Sequence, residues 1–131
     1  MGKKMSYILD TNVVIDYIQG NFPDKEATFI ENLLFSDIPN ISVITEIEVL
    51  CWKHANEEDV EQYKKFIENS KIMELCNSVK LKTIEIRRNH KIKLPDALIA
   101  ATAFVYDLEL ITRNTKDFEN IAGLKTKNPW D

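Results

Sequence analysis

Four carboxylates fall where a chain of alternating strands and helices tends to gather its chemistry. Asp10 ends the apolar run Tyr7-Ile8-Leu9, and Thr11-Asn12 lead into the helical pattern Val13-Val14-Ile15-Asp16-Tyr17-Ile18. Glu48 lies one turn into the helix expected after the strand Ile41-Ser42-Val43-Ile44. Asp96 stands at the head of the most apolar helical run, Ala97 to Tyr106, and Asp117 follows the run Leu108–Thr112 by a few residues. In open α/β sheets, ligands bind outside the carboxyl ends of the strands. The groups after strands one, two and four can therefore converge on one edge. Each also has a plain structural role. Asp10 can cap the helix after it, Thr45-x-x-Glu48 can form a capping box, Asp96 gains from a helix dipole, and Asp117 can cap the segment that follows. Their number weighs against four coincidences, and a buried apolar helix has no need of the charge that Asp96 puts at its start.

Two carboxylates about 4 Å apart repel by roughly 4 kcal/mol at an effective dielectric near 20. A domain's net stability is only about 5–15 kcal/mol. A cluster of such groups therefore calls for a cation. Oxygen donors without sulfur or imidazole suit Mg²⁺ or Mn²⁺. Mg²⁺ keeps several waters, one of which can act as nucleophile beside a phosphate.

Composition excludes several other chemistries. Cys51 and Cys76 are the only cysteines and are not arranged for zinc, so reduced, partly buried thiols in a cytoplasmic protein are expected. His54 and His90 have no nucleophile partner in sequence. The three glycines, Gly2, Gly20 and Gly123, form no phosphate-binding loop. No apolar run approaches the roughly 20 residues that span a bilayer, and no signal peptide is expected from Lys3-Lys4 and the short run behind them. Met1-Gly2-Lys3-Lys4-Met5-Ser6 fits the myristoylation pattern only loosely. Net charge is −4, but its distribution matters more than its sum. Lys80, Lys82, Arg87, Arg88, Lys91 and Lys93 face only Glu85 in their stretch, whereas Glu57 to Glu68 is mainly acidic.

The elements that must position the carboxylates follow from periodicity. At 131 residues the chain reads as one domain over 1–131, able to bury roughly two-thirds of its unfolded surface. The first helix ends near Gln19-Gly20, and an amphipathic helix runs from about Asp24 to Phe35. Thr45 is expected to open a helix through about His54, and Asn56 another over Glu57–Asn69. A short strand is expected at Ile72–Leu75. Asn77 is expected to cap a helix through about Asn89 with a basic outer face. Pro95 suits the first turn of the apolar helix. A fourth strand covers Leu108–Thr112 and a fifth Leu124–Thr126. Alternating strands and helices indicate a layered α/β domain with a parallel sheet.

Taken together, Tyr-Ile-Leu-Asp10-Thr-Asn12, Ile-Ser42-Val-Ile-Thr45-Glu-Ile-Glu48-Val, Pro95-Asp96-Ala-Leu-Ile-Ala-Ala-Thr-Ala103 and Leu-Ile-Thr112-Arg-Asn114-Thr-Lys-Asp117-Phe118 resemble the PIN domain family, in its order. The likeness is greatest to the toxin ribonucleases of VapBC-type toxin–antitoxin pairs. It implies a three-layer α/β/α fold with a central, mainly parallel sheet of four to five short strands. It implies Mg²⁺- or Mn²⁺-dependent endoribonuclease activity, leaving a 5′-phosphate and a 3′-hydroxyl. Asp10, Glu48 and Asp96 fall on the family's metal-binding acidic positions, and Glu48 rather than Glu46 has the right spacing. Asn114 occupies a position that is acidic in some members, and Asp117 is the nearest carboxylate to it. Asn12 and Thr112 match polar positions that help hold carboxylates or phosphate. The basic helix, with Arg87, Arg88, Lys91 and Lys93, would guide RNA phosphates. The resemblance also implies an antitoxin partner and a homodimer. Trp52, Tyr63 and Phe66 are candidates for the antitoxin groove, although core packing is the expected fate of each.

Two other readings compete. A haloacid dehalogenase-like phosphatase also ends its first strand in Asp, but wants Asp and Thr where Asn12 and Val14 stand. A PIN module without activity would bind RNA or protein; intact Asp10, Glu48 and Asp96 argue against it.

Overall fold

A computed structural model describes residues 6–53 and 56–130. His54 and all of the myristoylation-like pattern except Ser6 lie outside the described residues.

Five short runs become strands, and the central ones are buried on both faces, as a parallel sheet between helical layers requires. The five are β1 (Tyr7–Leu9), β2 (Asn40–Ser42), β3 (Lys71–Met73), β4 (Glu109–Ile111) and β5 (Thr126–Lys127). Every pairing is parallel, in the order β3-β2-β1-β4-β5. β1 is therefore central, and Leu9 stands opposite Ile111 of β4. The residues just past these two strands, Asp10 and Thr112, are neighbours by register alone.

Alternation along the strands divides the core. Ile8 and Leu110 face one layer, built on α5 (Asn77–Asn89) and α6 (Leu94–Val105). Tyr7, Leu9, Ile41 and Ile111 face the other, with α1 (Thr11–Ile18), α2 (Asp24–Ser36) and α4 (Glu57–Glu68). α3 (Val43–Leu50) sends Ile44 towards the first and Val49 towards the second. α7 is the single turn Thr115–Phe118. The result is the three-layer α/β/α architecture that the motifs imply.

Gly20, with φ of +72°, follows the end of α1 in the left-handed conformation expected there. Several boundaries differ from expectation. The β-branched pair Val43-Ile44 reads as strand, yet it forms the first turn of α3, because the Ser42 hydroxyl accepts the Thr45 N–H at 3.0 Å and caps the helix. Thr45 is thus inside the helix rather than its cap, and the Thr45–Glu48 capping box does not form. α3 ends at Leu50, short of His54. Cys76, not Asn77, occupies the N-cap of α5. β3 and β5 are each displaced slightly from the expected runs. Both cysteines are exposed rather than partly buried.

Candidate active site

The carboxyl edge of the sheet carries the polar residues the sequence singles out. Asp10 leaves β1 in extended conformation and is the N-cap of α1. Its side chain is buried, with 5% exposure. One oxygen, Oδ1, accepts the Thr11 N–H at 2.8 Å. The other, Oδ2, accepts the hydroxyl of Thr112 at 2.8 Å. Asp10 therefore does cap α1, and this role coexists with its place at the sheet edge. Thr112 in turn accepts the Asn114 N–H at 3.1 Å, which fixes the loop after β4.

Glu48 reaches the same edge from the middle of α3. Its Oε1 accepts the Thr11 hydroxyl at 2.7 Å. The same hydroxyl lies 3.0 Å from that of buried Thr45. Asp96, in the first turn of α6 just after Pro95, is half-buried. Asp117 projects from α7 and is exposed, as is Asn114 at that turn's N-cap.

These groups feel one another. Burial pushes the Asp10 carboxyl up from 3.8 to about 6, the charges of Asp96 and Glu48 push the same way, and its two hydrogen bonds only partly oppose them. Asp96 is also raised, by burial first and then by Asp117 and Glu48, while Lys93 pulls it down. Carboxylates desolvated and crowded in this way are sites that a cation would relieve.

A cavity of about 440 Å³ opens over them, lined by Asn12, Glu48, Lys91, Ile92, Lys93, Pro95, Asp96, Asn114 and Asp117. Asp10, buried, is not among the lining residues. Lys91 and Lys93 thus share this cavity with the acids. Arg87 and Arg88, in the last turn of α5, are exposed and do not line it. Arg113, although next to Thr112, is engaged elsewhere, 3.5 Å from Asp16 and over the Trp130 ring.

Among the described residues, no three His, Cys, Asp or Glu side chains form a ready-made metal cage. The donor set still fits one kind of ion. Its groups are oxygens only, and Mg²⁺ commonly takes one or two carboxylates and fills its remaining positions with water and substrate phosphate.

Sequence reasoning did not assign Thr11 a role. Its signals were adjacency to Asp10 and the spacing Ser42-x-x-Thr45-x-x-Glu48, which puts these three on one side of a helix. Of the groove candidates, Tyr63 is core, 1% exposed, with its hydroxyl accepting from Gln19. Trp52 is half-buried and packs against the same core. Phe66 lines a second concavity, of about 960 Å³, between α1, α2 and α4. That groove also presents Leu34, Phe35 and Ile38.

The PIN domain family model matches residues 7–124. Among solved structures, a toxin–antitoxin complex from Klebsiella pneumoniae has a chain 32% identical, with a TM-score of 0.77, covering 96% of this chain and 99% of its own. VapBC2 from Rickettsia felis, bound to a promoter DNA fragment, is 26% identical with a TM-score of 0.78, covering 97% of this chain and 100% of its own. DNA-bound VapBC from Salmonella typhimurium is 25% identical with a TM-score of 0.80, covering 96% and 99%. No curated protein sequence matches the chain.

Proposed function

Given that the chain belongs to the PIN domain family, we propose that it is a divalent-metal-dependent endoribonuclease, a single domain over 1–131, and the toxin of a cytoplasmic toxin–antitoxin pair. The observation that carries this reading is the convergence of Asp10, Glu48 and Asp96 at the carboxyl edge of the sheet, with mutual charge repulsion and an open cavity above them.

Asp10, Glu48 and Asp96 would hold Mg²⁺ or Mn²⁺, which when bound supplies an activated water and neutralises phosphate charge. Thr112 and the Thr11 N–H keep Asp10 oriented. Asp117 or Asn114, which also line the cavity, would help to hold a second ion or a water. Asn12, on the cavity lining, would hydrogen-bond a phosphate. Lys91 and Lys93 attract the RNA backbone to the cavity, with Arg87 and Arg88 extending the basic track along α5.

The partner side of the reading rests on the neighbours, which are toxin–antitoxin complexes. The apolar groove between α1, α2 and α4 is the place for an antitoxin segment, because Phe35 stands 95% exposed beside Leu34 and Phe66. A homodimer belongs to the same reading and is checked by light scattering.

The test is cleavage of a mixed tRNA, rRNA and mRNA sample with Mn²⁺, with EDTA, and with Asp10→Ala. Cleavage by wild type with metal alone supports the reading. One observation favours the alternative of a non-catalytic module: the absence of a preformed cage among the described residues. Calorimetric titration with Mn²⁺ separates the two. No binding by wild type would favour the module, and metal-dependent cleavage that vanishes in Asp96→Asn would exclude it.

A further inference from the structure

Glu48 is a long, flexible side chain asked to present a carboxylate at a fixed point. Ordering such a chain costs it rotamer freedom. Its carboxylate is nonetheless tied down by a residue from another element. The Thr11 hydroxyl donates to Glu48 Oε1 at 2.7 Å. Thr11 is 8% exposed, and its branched side chain is stiff about its first torsion.

The direction of the neighbouring bonds follows from proton counting. A hydroxyl has one proton, and that of Thr11 is committed to an acceptor-only carboxylate. The 3.0 Å contact between Thr11 and Thr45 must then be donated by Thr45. The Ser42 hydroxyl donates to Thr45 at 3.3 Å while accepting the Thr45 N–H at 3.0 Å. Ser42, Thr45 and Thr11 thus form a one-way chain of hydroxyls ending on Glu48. Aligned hydrogen bonds of this kind polarise one another. Thr11 also gives its backbone N–H to Asp10 Oδ1. One residue therefore grips two carboxylates, and sets where each lies relative to the other.

We propose that Thr11, backed by Thr45 and Ser42, is the positioning residue that fixes Glu48 relative to Asp10 for cation binding. This rests on the nuclease reading above. Glu48 itself lines the cavity, and only its Oε1 is tied to the hydroxyl chain.

The test compares Thr11→Val, which keeps shape and loses the hydroxyl, with Thr11→Ser, which keeps the hydroxyl. Mn²⁺ affinity is read by calorimetry on each folded variant. A lost supporting hydrogen bond of this type typically weakens metal binding about 10- to 100-fold. The expected result is that loss for Thr11→Val and recovery of most of the affinity for Thr11→Ser. A second arm is independent of metal: a double-mutant cycle of Thr11→Val with Glu48→Ala, by urea unfolding in EDTA. Coupling of about tenfold or more in the unfolding equilibrium is expected for a hydrogen bond to a charged group. Absence of coupling overturns the proposal, as does coupling with unchanged Mn²⁺ affinity in Thr11→Val, which would reduce the contact to a structural one. Failure of wild type to bind Mn²⁺ would instead defeat the nuclease reading, and the cycle would still decide whether Thr11 holds Glu48.

Discussion

Two concavities among the described residues differ in kind, and the larger of the two is not the one that holds the acids. The groove between α1, α2 and α4, about 960 Å³, is walled by Leu34, Phe35, Ile38 and Phe66. Its charged residues, Glu31, Asp37 and Lys65, are scattered along it. The pocket at the sheet edge, about 440 Å³, is half that size. Yet it is there that burial and like charges raise the carboxyls of Asp10 and Asp96. Volume measures room for a partner; strained electrostatics mark a place for a reaction. The two regions also differ in origin. The pocket is built where strands end, so register dictates its geometry. The groove is built between helices, so its shape depends on side-chain packing.

The comparison predicts that the two regions can be broken separately. The largest effect belongs to the acids. Asp96→Asn should lower the rate of metal-dependent RNA cleavage on the order of a thousandfold, since losing one anionic ligand removes several kcal/mol of transition-state stabilisation. The same variant should bind an antitoxin segment as wild type does, read by calorimetry. Cleavage within a few-fold of wild type would remove Asp96 from the site.

The complementary change is Phe35→Ala. A side chain 95% exposed contributes little to the fold, so urea unfolding should move by no more than about 0.5 kcal/mol. Aromatic anchors at interfaces cost about 2–4 kcal/mol when truncated, which weakens antitoxin binding by roughly 30- to 1,000-fold. RNA cleavage should be unaffected. An unaltered antitoxin affinity would show that the partner sits elsewhere.

This division also explains what the sequence made legible. Asp10 and Thr112 could be placed together because both follow central parallel strands, and Leu9 pairs with Ile111. Asp96 drew notice because the buried apolar helix after it has no need of a charge, although the helix dipole favours one there. The interior position of Thr45 was hidden, since Val43-Ile44 favours a strand and the capping Ser42 lies before that pair. The helix therefore starts earlier, at Val43. That shift places Thr45 in the helix interior, facing Thr11, and leaves Glu48 to the Thr11 hydroxyl. The groove was legible only in part, for a different reason. Tyr63 and Phe66 share a helical face, and only packing decides that Tyr63 is core while Phe66 lines the groove.

A third prediction concerns the cost of assembling the acids. Unfolded, Asp10 ionises near 3.8; folded, it ionises only near 6. Between these values the folded protein holds a proton that the unfolded chain has released. Stability therefore falls as pH rises through this window, and stays lower above it. The gap is worth about 3 kcal/mol. In EDTA, Asp10→Asn should be more stable than wild type by up to that amount at pH 7.5, with the gain gone near pH 4. Asn can still accept the Thr11 N–H and donate to Thr112. Urea unfolding at the two pH values measures the difference; an equal effect at both would mean that charge is not what Asp10 contributes.

The smallest effect distinguishes the cations. Lys91 and Lys93 share the cavity with the acids, whereas Arg87 and Arg88 lie on the outer turn of α5. Each phosphate contact on a single strand contributes about 0.7 to the slope of log affinity against log salt. Lys91→Ala with Lys93→Ala should therefore flatten the slope for a short RNA by up to about 1.4, measured by fluorescence anisotropy. Reversing both arginines to Glu should flatten it less if they act only as an approach track. A larger effect from the arginine pair would move the RNA path off the cavity and onto α5. Lys93 has a second consequence that the arginines lack: it opposes the rise of the Asp96 carboxyl. Its removal should therefore raise the Asp96 carboxyl further and move the acid limb of the pH–rate profile for cleavage to higher pH, a shift that loss of Arg87 and Arg88 should not produce.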